Sequence, residues 1–164
     1  MCELRQNMVT RQWFVIAVDR ARRPEEFTRP KSPRAARPHE SECPFCPGNE
    51  SHTPPEQFRI GSQEPWRVRV VPNRYSLFNG EGERNRKTEG LYQSMSGVGV
   101  HEVIIDTPRH DEHLAAMAPD HVADLVRTYR HRTRSAIADP RVELVLIFKN
   151  RLQNFRFPPF CGAK

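Results

Sequence analysis

The segment Cys43-Pro44-Phe45-Cys46-Pro47-Gly48-Asn49-Glu50 sets two thiols close together in a turn stiffened by prolines and a glycine. Thiolates at this spacing can point at one tetrahedral ion, and zinc suits soft sulfur ligands while imposing little geometry of its own. A bare CxxC is only half of a zinc site. A redox dithiol and two incidental cysteines are the alternatives. The redox reading wants the pair just after a strand and opening a helix. Pro44, Pro47 and Gly48 favour a loop or knuckle instead.

The chain around this knuckle has 164 residues, one domain's worth and enough for a core. Hydrophobic content is 37%, with 15 prolines, and mean hydropathy is −0.74; long loops are expected. The formal charge of +6 suits phosphate-bearing partners such as nucleotides, sugar phosphates or nucleic acid. A merely basic surface is the alternative. Four cysteines are too few for a disulfide scaffold, which points to a reducing compartment. The N-terminal residues lack the apolar core of a signal peptide, and no apolar run reaches membrane-spanning length. The expectation is a cytoplasmic protein.

Elements that would position the knuckle follow from hydrophobic pattern. Trp13-Phe14-Val15-Ile16-Ala17-Val18 reads as a buried strand. Residues 25–42 turn to proline, arginine and serine and read as a loop. Trp66-Arg67-Val68-Arg69-Val70-Val71 alternates, with Trp66, Val68 and Val70 expected on one face. Residues 79–95 offer no defensible element. Gly97 and Gly99 precede a strand ending at Asp106, and allow close backbone approach or a bulge rather than a phosphate loop. Pro119 to Ile137 predicts a helix, with Val122, Leu125, Val126, Tyr129, Thr133 and Ile137 inward and Arg127, Arg130, Arg132 and Arg134 on a solvated face. Val142-Glu143-Leu144-Val145-Leu146-Ile147-Phe148 has the strongest strand pattern. The fold class predicted is α+β, a mostly antiparallel sheet with one long helix between the last two strands.

Several stretches, in order, make the chain resemble the N-terminal half of the galactose-1-phosphate uridylyltransferase family, part of the histidine-triad superfamily. They are Glu3-Leu4-Arg5-Gln6-Asn7, Asp19-Arg20-Ala21-Arg22-Arg23-Pro24, the knuckle from Cys43 to Glu50, and Trp66-Arg67-Val68-Arg69-Val70-Val71-Pro72-Asn73. Gly99-Val100-His101-Glu102-Val103-Ile104-Ile105, Thr107-Pro108-Arg109-His110 and Leu146-Ile147-Phe148-Lys149-Asn150 complete the set. The resemblance implies a histidine-triad-like fold and ping-pong transfer of a uridylyl group from UDP-glucose to galactose 1-phosphate through a nucleophilic histidine. It implies zinc as cofactor, with Cys43, Cys46 and His110 as ligands. It also implies substrate contacts from Phe45, Val71 and Val103 around the base and Asn73 and Asn150 near ribose and phosphate. Arg20 and Arg23 would reach the sugar phosphate across a homodimer interface. From the residues alone, the valines read equally as strand core and the asparagines as turn formers. His101 reads as structural, and His113, His121 and His131 as exposed.

The resemblance covers residues 3–150. The family continues into His-Pro-His, which supplies the fourth zinc ligand and the nucleophile. Here no histidine follows His131, so no catalytic residue is assigned, and residues 151–164 form a divergent tail expected to be unstructured. That pattern fits a frameshifted or truncated gene, with a short protein carrying a repurposed tail as the alternative. Two other functions compete with the uridylyltransferase reading: a sister nucleotidyltransferase acting on ADP-sugars, and a zinc-knuckle nucleic-acid-binding protein. The second lacks another cysteine pair at knuckle spacing, so nucleic acid is not an expected partner; nor, without an apolar run of spanning length, is a membrane.

Overall fold

A computed structural model describes residues 2–17, 37–62 and 65–149. Among them the chain forms strands β1 (Cys2–Gln6), β2 (Trp13–Ala17), β3 (Phe58–Ile60), β4 (Val68–Pro72), β5 (Arg86–Glu89), β6 (Tyr92–Ser96) and β7 (Glu102–Ile105), then helix α1 (Pro119–Ile137). They make two antiparallel sheets, ordered β2-β1-β6-β5 and β3-β4-β7. The class is α+β, mostly antiparallel sheets with a single long helix.

The smaller sheet carries the site, and its two faces follow from the two-residue repeat of a strand. Register sets Val70 opposite Phe58 and Ile104. On that face lies α1: the His131 ring stacks on Phe58 with centroids 4.2 Å apart, and Arg132 grips Glu102 through two bonds of 2.9 and 2.6 Å. Val71 pairs with Val103, and this opposite face meets the knuckle. β4 is therefore covered on both sides, and Val68, Arg69, Val70 and Val71 are all buried. Trp66 does not share a face with Val68 and Val70, as alternation suggested. It precedes β4 and joins Val71 and Ile105 in the core, flanked by Phe45 and Val103.

Helix bounds fall where proline at the first turn and Asp139-Pro140 predict them. Its inward face is rotated from the apolar stripe expected. Leu125 and Thr128 are buried, whereas Val126 and Ile137 are 57% and 60% exposed. A narrow three-stranded sheet covers only a narrow stripe, and Thr128 enters it because its hydroxyl donates to the Asp124 carbonyl at 2.9 Å. Arg132 leaves the solvated face for its half-buried pair with Glu102. His121, expected at the surface, is half-buried; its Nε2 lies 2.7 Å from the Asp106 carbonyl and 3.1 Å from that of Arg67.

Three further expectations are corrected. β2 forms, but Phe14, Val15 and Ile16 are exposed; among the described residues, α1 packs on β4 of the other sheet. Residues 79–95 contain a hairpin, β5–β6, closed by a two-residue connection whose Gly90 has φ +61, the hand that primed hairpin turns require. Residues 142–148 form no strand, and Leu144, Leu146 and Phe148 are exposed. Strand propensity expresses fit to a pleated, half-buried surface, and among the described residues that segment has no ladder partner; α1 thus follows the last described strand. The glycine expectation fits at Gly97, where a Cβ would sit 2.7 Å from Cys2 Sγ and 3.3 Å from its carbonyl oxygen.

Candidate metal centre and adjoining cleft

The knuckle is built by successive turns. Cys43 N–H donates to the Glu40 carbonyl at 3.1 Å, Cys46 N–H to that of Cys43 at 3.2 Å, and Asn49 N–H to that of Cys46 at 3.2 Å. The Asn49 amide donates back to the Ser41 and Cys43 carbonyls, both at 2.8 Å. Gly48 turns the chain at φ +88, a region that penalises a Cβ. His110 comes from the turn after β7, held by its N–H to the Pro38 carbonyl at 2.8 Å.

These turns bring the sulfurs of Cys43 and Cys46 and a ring nitrogen of His110 within 4.8 Å of one another. Cys46 Sγ lies 3.4 Å from His110 Nδ1. A zinc tetrahedron with ordinary Zn–S and Zn–N bonds has edges of about 3.5–3.8 Å, so the cluster is close to ligating geometry. The Glu40 N–H points at Cys46 Sγ from 3.4 Å, a donor suited to a thiolate. The three residues can hold a metal.

Glu50 locks the knuckle to the core. Its Oε1 accepts from Trp66 Nε1 at 3.0 Å, and the buried Arg69 guanidinium lies over the Trp66 ring at 5.6 Å. Arg69 also donates to Glu56 at 3.0 Å and to Thr53 at 2.9 Å, holding the next loop. Burial pushes the Glu50 carboxyl up, but the indole N–H, backbone donors and Arg69 outweigh it and hold its pKa below the ordinary value. Stability from a depressed carboxyl is present above its unfolded pKa and lost as pH falls through the folded one. Acid titration followed by near-ultraviolet dichroism should show knuckle and Trp66 loosening in that window. Glu50→Ala should cost about 1–3 kcal/mol at any higher pH, because it orphans a buried indole donor; a thermal melt unchanged from the parent chain would refute this.

Beside the knuckle opens a cavity of about 250 Å³. Phe45, Val71, Val103 and Asn73 all line it, so four of the seven expected substrate contacts share one cleft. Arg20, Arg23 and Asn150 lie outside the described residues. Phe45 sits between the two cysteines, so the turns that fix those cysteines also fix one wall. Asn73 is a turn former as well: its Oδ1 accepts from Tyr75 N–H at 2.9 Å, and its own N–H donates to the His101 carbonyl at 2.8 Å. His101 has a structural part, Nδ1 accepting from Leu77 N–H at 3.1 Å. Sequence reasoning missed Glu42, His52, Arg74 and Tyr75, which also line the cleft. Glu42 and Arg74 adjoin Cys43 and Asn73, and that adjacency was the one available signal.

Fold and site together define a histidine-triad-like α+β domain in which a Cys-Cys-His cluster adjoins an apolar cleft. The sequence model described as "Galactose-1-phosphate uridyl transferase, N-terminal domain" matches residues 2–158; the chain belongs to this family, whose chemistry is nucleotidyl transfer. ADP-glucose phosphorylase of Arabidopsis thaliana is 33% identical over 152 residues, 91% of this chain and 43% of that protein. Galactose-1-phosphate uridylyltransferase of Thermotoga maritima is 29% identical over 152 residues, covering 92% and 41%. A crystal structure of the Arabidopsis thaliana phosphorylase with bound ADP-glucose superposes with a TM-score of 0.51 at 25% identity, over 87% of this chain and 40% of that one. The chain thus spans less than half the length of these relatives. Among the described residues no helix is long and apolar enough to cross a membrane.

Proposed function

We propose that this chain is the nucleotide-sugar-holding domain of a hexose-1-phosphate nucleotidyltransferase. The observation carrying the reading is the convergence of Phe45, Val71, Val103 and Asn73 on one cleft whose wall is set between two metal-ready cysteines. The base lies against Phe45, Val71 and Val103, and ribose and phosphate lie toward Asn73, with Asn150 and the Arg20 and Arg23 pair completing the sugar-phosphate contacts in a homodimer. Zinc is the metal, held by Cys43, Cys46 and His110, and its contribution is to fix the knuckle that carries Phe45. Residues 1–150 form the domain, residues 151–164 are a separate tail, and the compartment is the cytoplasm.

ADP-glucose is the favoured donor, supported by the 33% identity to a protein named for it. UDP-glucose, with galactose 1-phosphate as acceptor, is the second reading, supported by the Thermotoga maritima relative. Within these 164 residues the family's His-Pro-His is not found, and no residue of the cleft is assigned as a nucleophile. Titration calorimetry on zinc-loaded protein should detect ADP-glucose, with UDP-glucose weaker, and radiolabelled donor should leave no acid-precipitable label. Silence toward both sugars would refute the binding reading. A stoichiometric covalent label would refute the assignment of no catalytic residue.

A further inference from the structure

Three consecutive residues, Pro38, His39 and Glu40, each bond to a segment that carries a candidate metal ligand. The Pro38 carbonyl accepts the His110 N–H at 2.8 Å, and the Glu40 carbonyl accepts that of Cys43 at 3.1 Å. The Glu40 N–H points at Cys46 Sγ from 3.4 Å. Between them, the His39 ring reaches eight positions along the chain, and its Nε2 lies 3.0 Å from the Pro47 carbonyl. A carbonyl only accepts, so Nε2 carries the proton and donates. Pro38 and Glu40 act here through main-chain atoms, which any residue would offer. His39 acts through its side chain.

That bond falls where the knuckle has least else to hold it. Pro47 follows Cys46 directly, and its ring fixes its own φ near about −65°. Its ψ, which aims the carbonyl, is left open, and the next residue, Gly48, turns at φ +88 with no Cβ to restrict it. A donor on the Pro47 carbonyl removes this last soft dihedral beside Cys46. We propose that His39 is a positioning residue for the metal centre: by holding the Pro47 carbonyl it keeps Cys46 at ligating distance from Cys43 and His110. The assignment rests on the metal reading of those three residues, and extends it to a side chain that does not ligate. His39 is exposed, so its bond adds little to the metal-free fold. A knuckle released from it regains conformational freedom, which a bound metal must take away again. Loss of His39 should therefore appear in metal affinity and not in the stability of the metal-free chain.

The test is cobalt(II) titration of the full chain, read by thiolate-to-cobalt absorption, beside denaturant unfolding of the metal-free protein. His39→Ala should weaken cobalt about 10-fold, the low end for outer-shell partners because it acts through Pro47, and leave the metal-free midpoint unchanged. His39→Gln, whose amide N–H can donate to the same carbonyl, should recover most of the affinity with an unaltered cobalt spectrum. Parental affinity in His39→Ala would overturn the proposal, as would a metal-free midpoint lowered enough to account for the lost affinity. A His39→Gln chain no better than His39→Ala would overturn it too; a ligand-field spectrum shifted in both would then make His39 a ligand itself. Failure of the unaltered chain to bind cobalt would overturn the metal reading, and this one with it.

Discussion

Cys46→Ser should take up no measurable zinc at micromolar metal, where the unaltered chain binds it reversibly. Cys46 is fully buried, lies 3.4 Å from His110 Nδ1, and receives the Glu40 N–H. A serine hydroxyl at neutral pH offers neither the negative charge nor the softness of a thiolate. The loss in affinity should exceed the 10- to 100-fold typical of outer-shell partners, because a ligand itself is removed. If only the three candidate ligands Cys43, Cys46 and His110 hold it, zinc in the unaltered chain should yield to mild chelators. Four-ligand structural sites, worth about 10–16 kcal/mol, resist them. Cobalt substitution gives the readout: thiolate-to-cobalt charge-transfer absorption in the unaltered chain, and its collapse in Cys46→Ser. Tight one-to-one zinc surviving chelators would reveal a further ligand.

Trp66→Ala should be the most damaging single change to the fold. Its side chain is fully buried and central to the cluster with Val71 and Ile105. Truncating a buried aromatic costs about 3–5 kcal/mol through lost transfer energy and the cavity left behind. The change also removes the donor that holds Glu50 and the ring beneath Arg69. Loss of stability and loss of nucleotide affinity should therefore appear together. Trp66→Phe separates them: it keeps much of the packing but drops the indole N–H, so denaturant unfolding should place it between the parent and Trp66→Ala. Equal stability of all three proteins would contradict this account of the core.

The parts legible in the sequence were those with a local physical signature. Pro119 and Asp139-Pro140 punctuate α1, and the knuckle is written in its own prolines and glycine. His110 is different: it lies 64 positions from Cys46, and nothing in the intervening chain announces that they meet, so only family resemblance joined them. β5 could not be read because all four of its residues are exposed and it carries no apolar period. The burial of Arg69 was not legible either, because its partners, Glu56 and Thr53, are brought to it by tertiary placement. Residues 142–148 show the limit of propensity, since an apolar run becomes a strand only where a neighbouring edge receives it. His52 and Tyr75 reach the cleft by tertiary placement, whereas Glu42 and Arg74 were signalled only by their adjacency to Cys43 and Asn73.

The central claim is that a nucleotide sugar occupies the cleft beside the cysteine knuckle. Photolabelling zinc-loaded protein with azido-adenine and azido-uracil derivatives of the two sugars, followed by peptide mapping, tests it most directly. The label should fall on residues 42–54 or 71–75, or at Val103, and should be displaced by excess unmodified ligand. Displaceable label on α1 or on the β5–β6 hairpin, with none in those segments, would contradict the account.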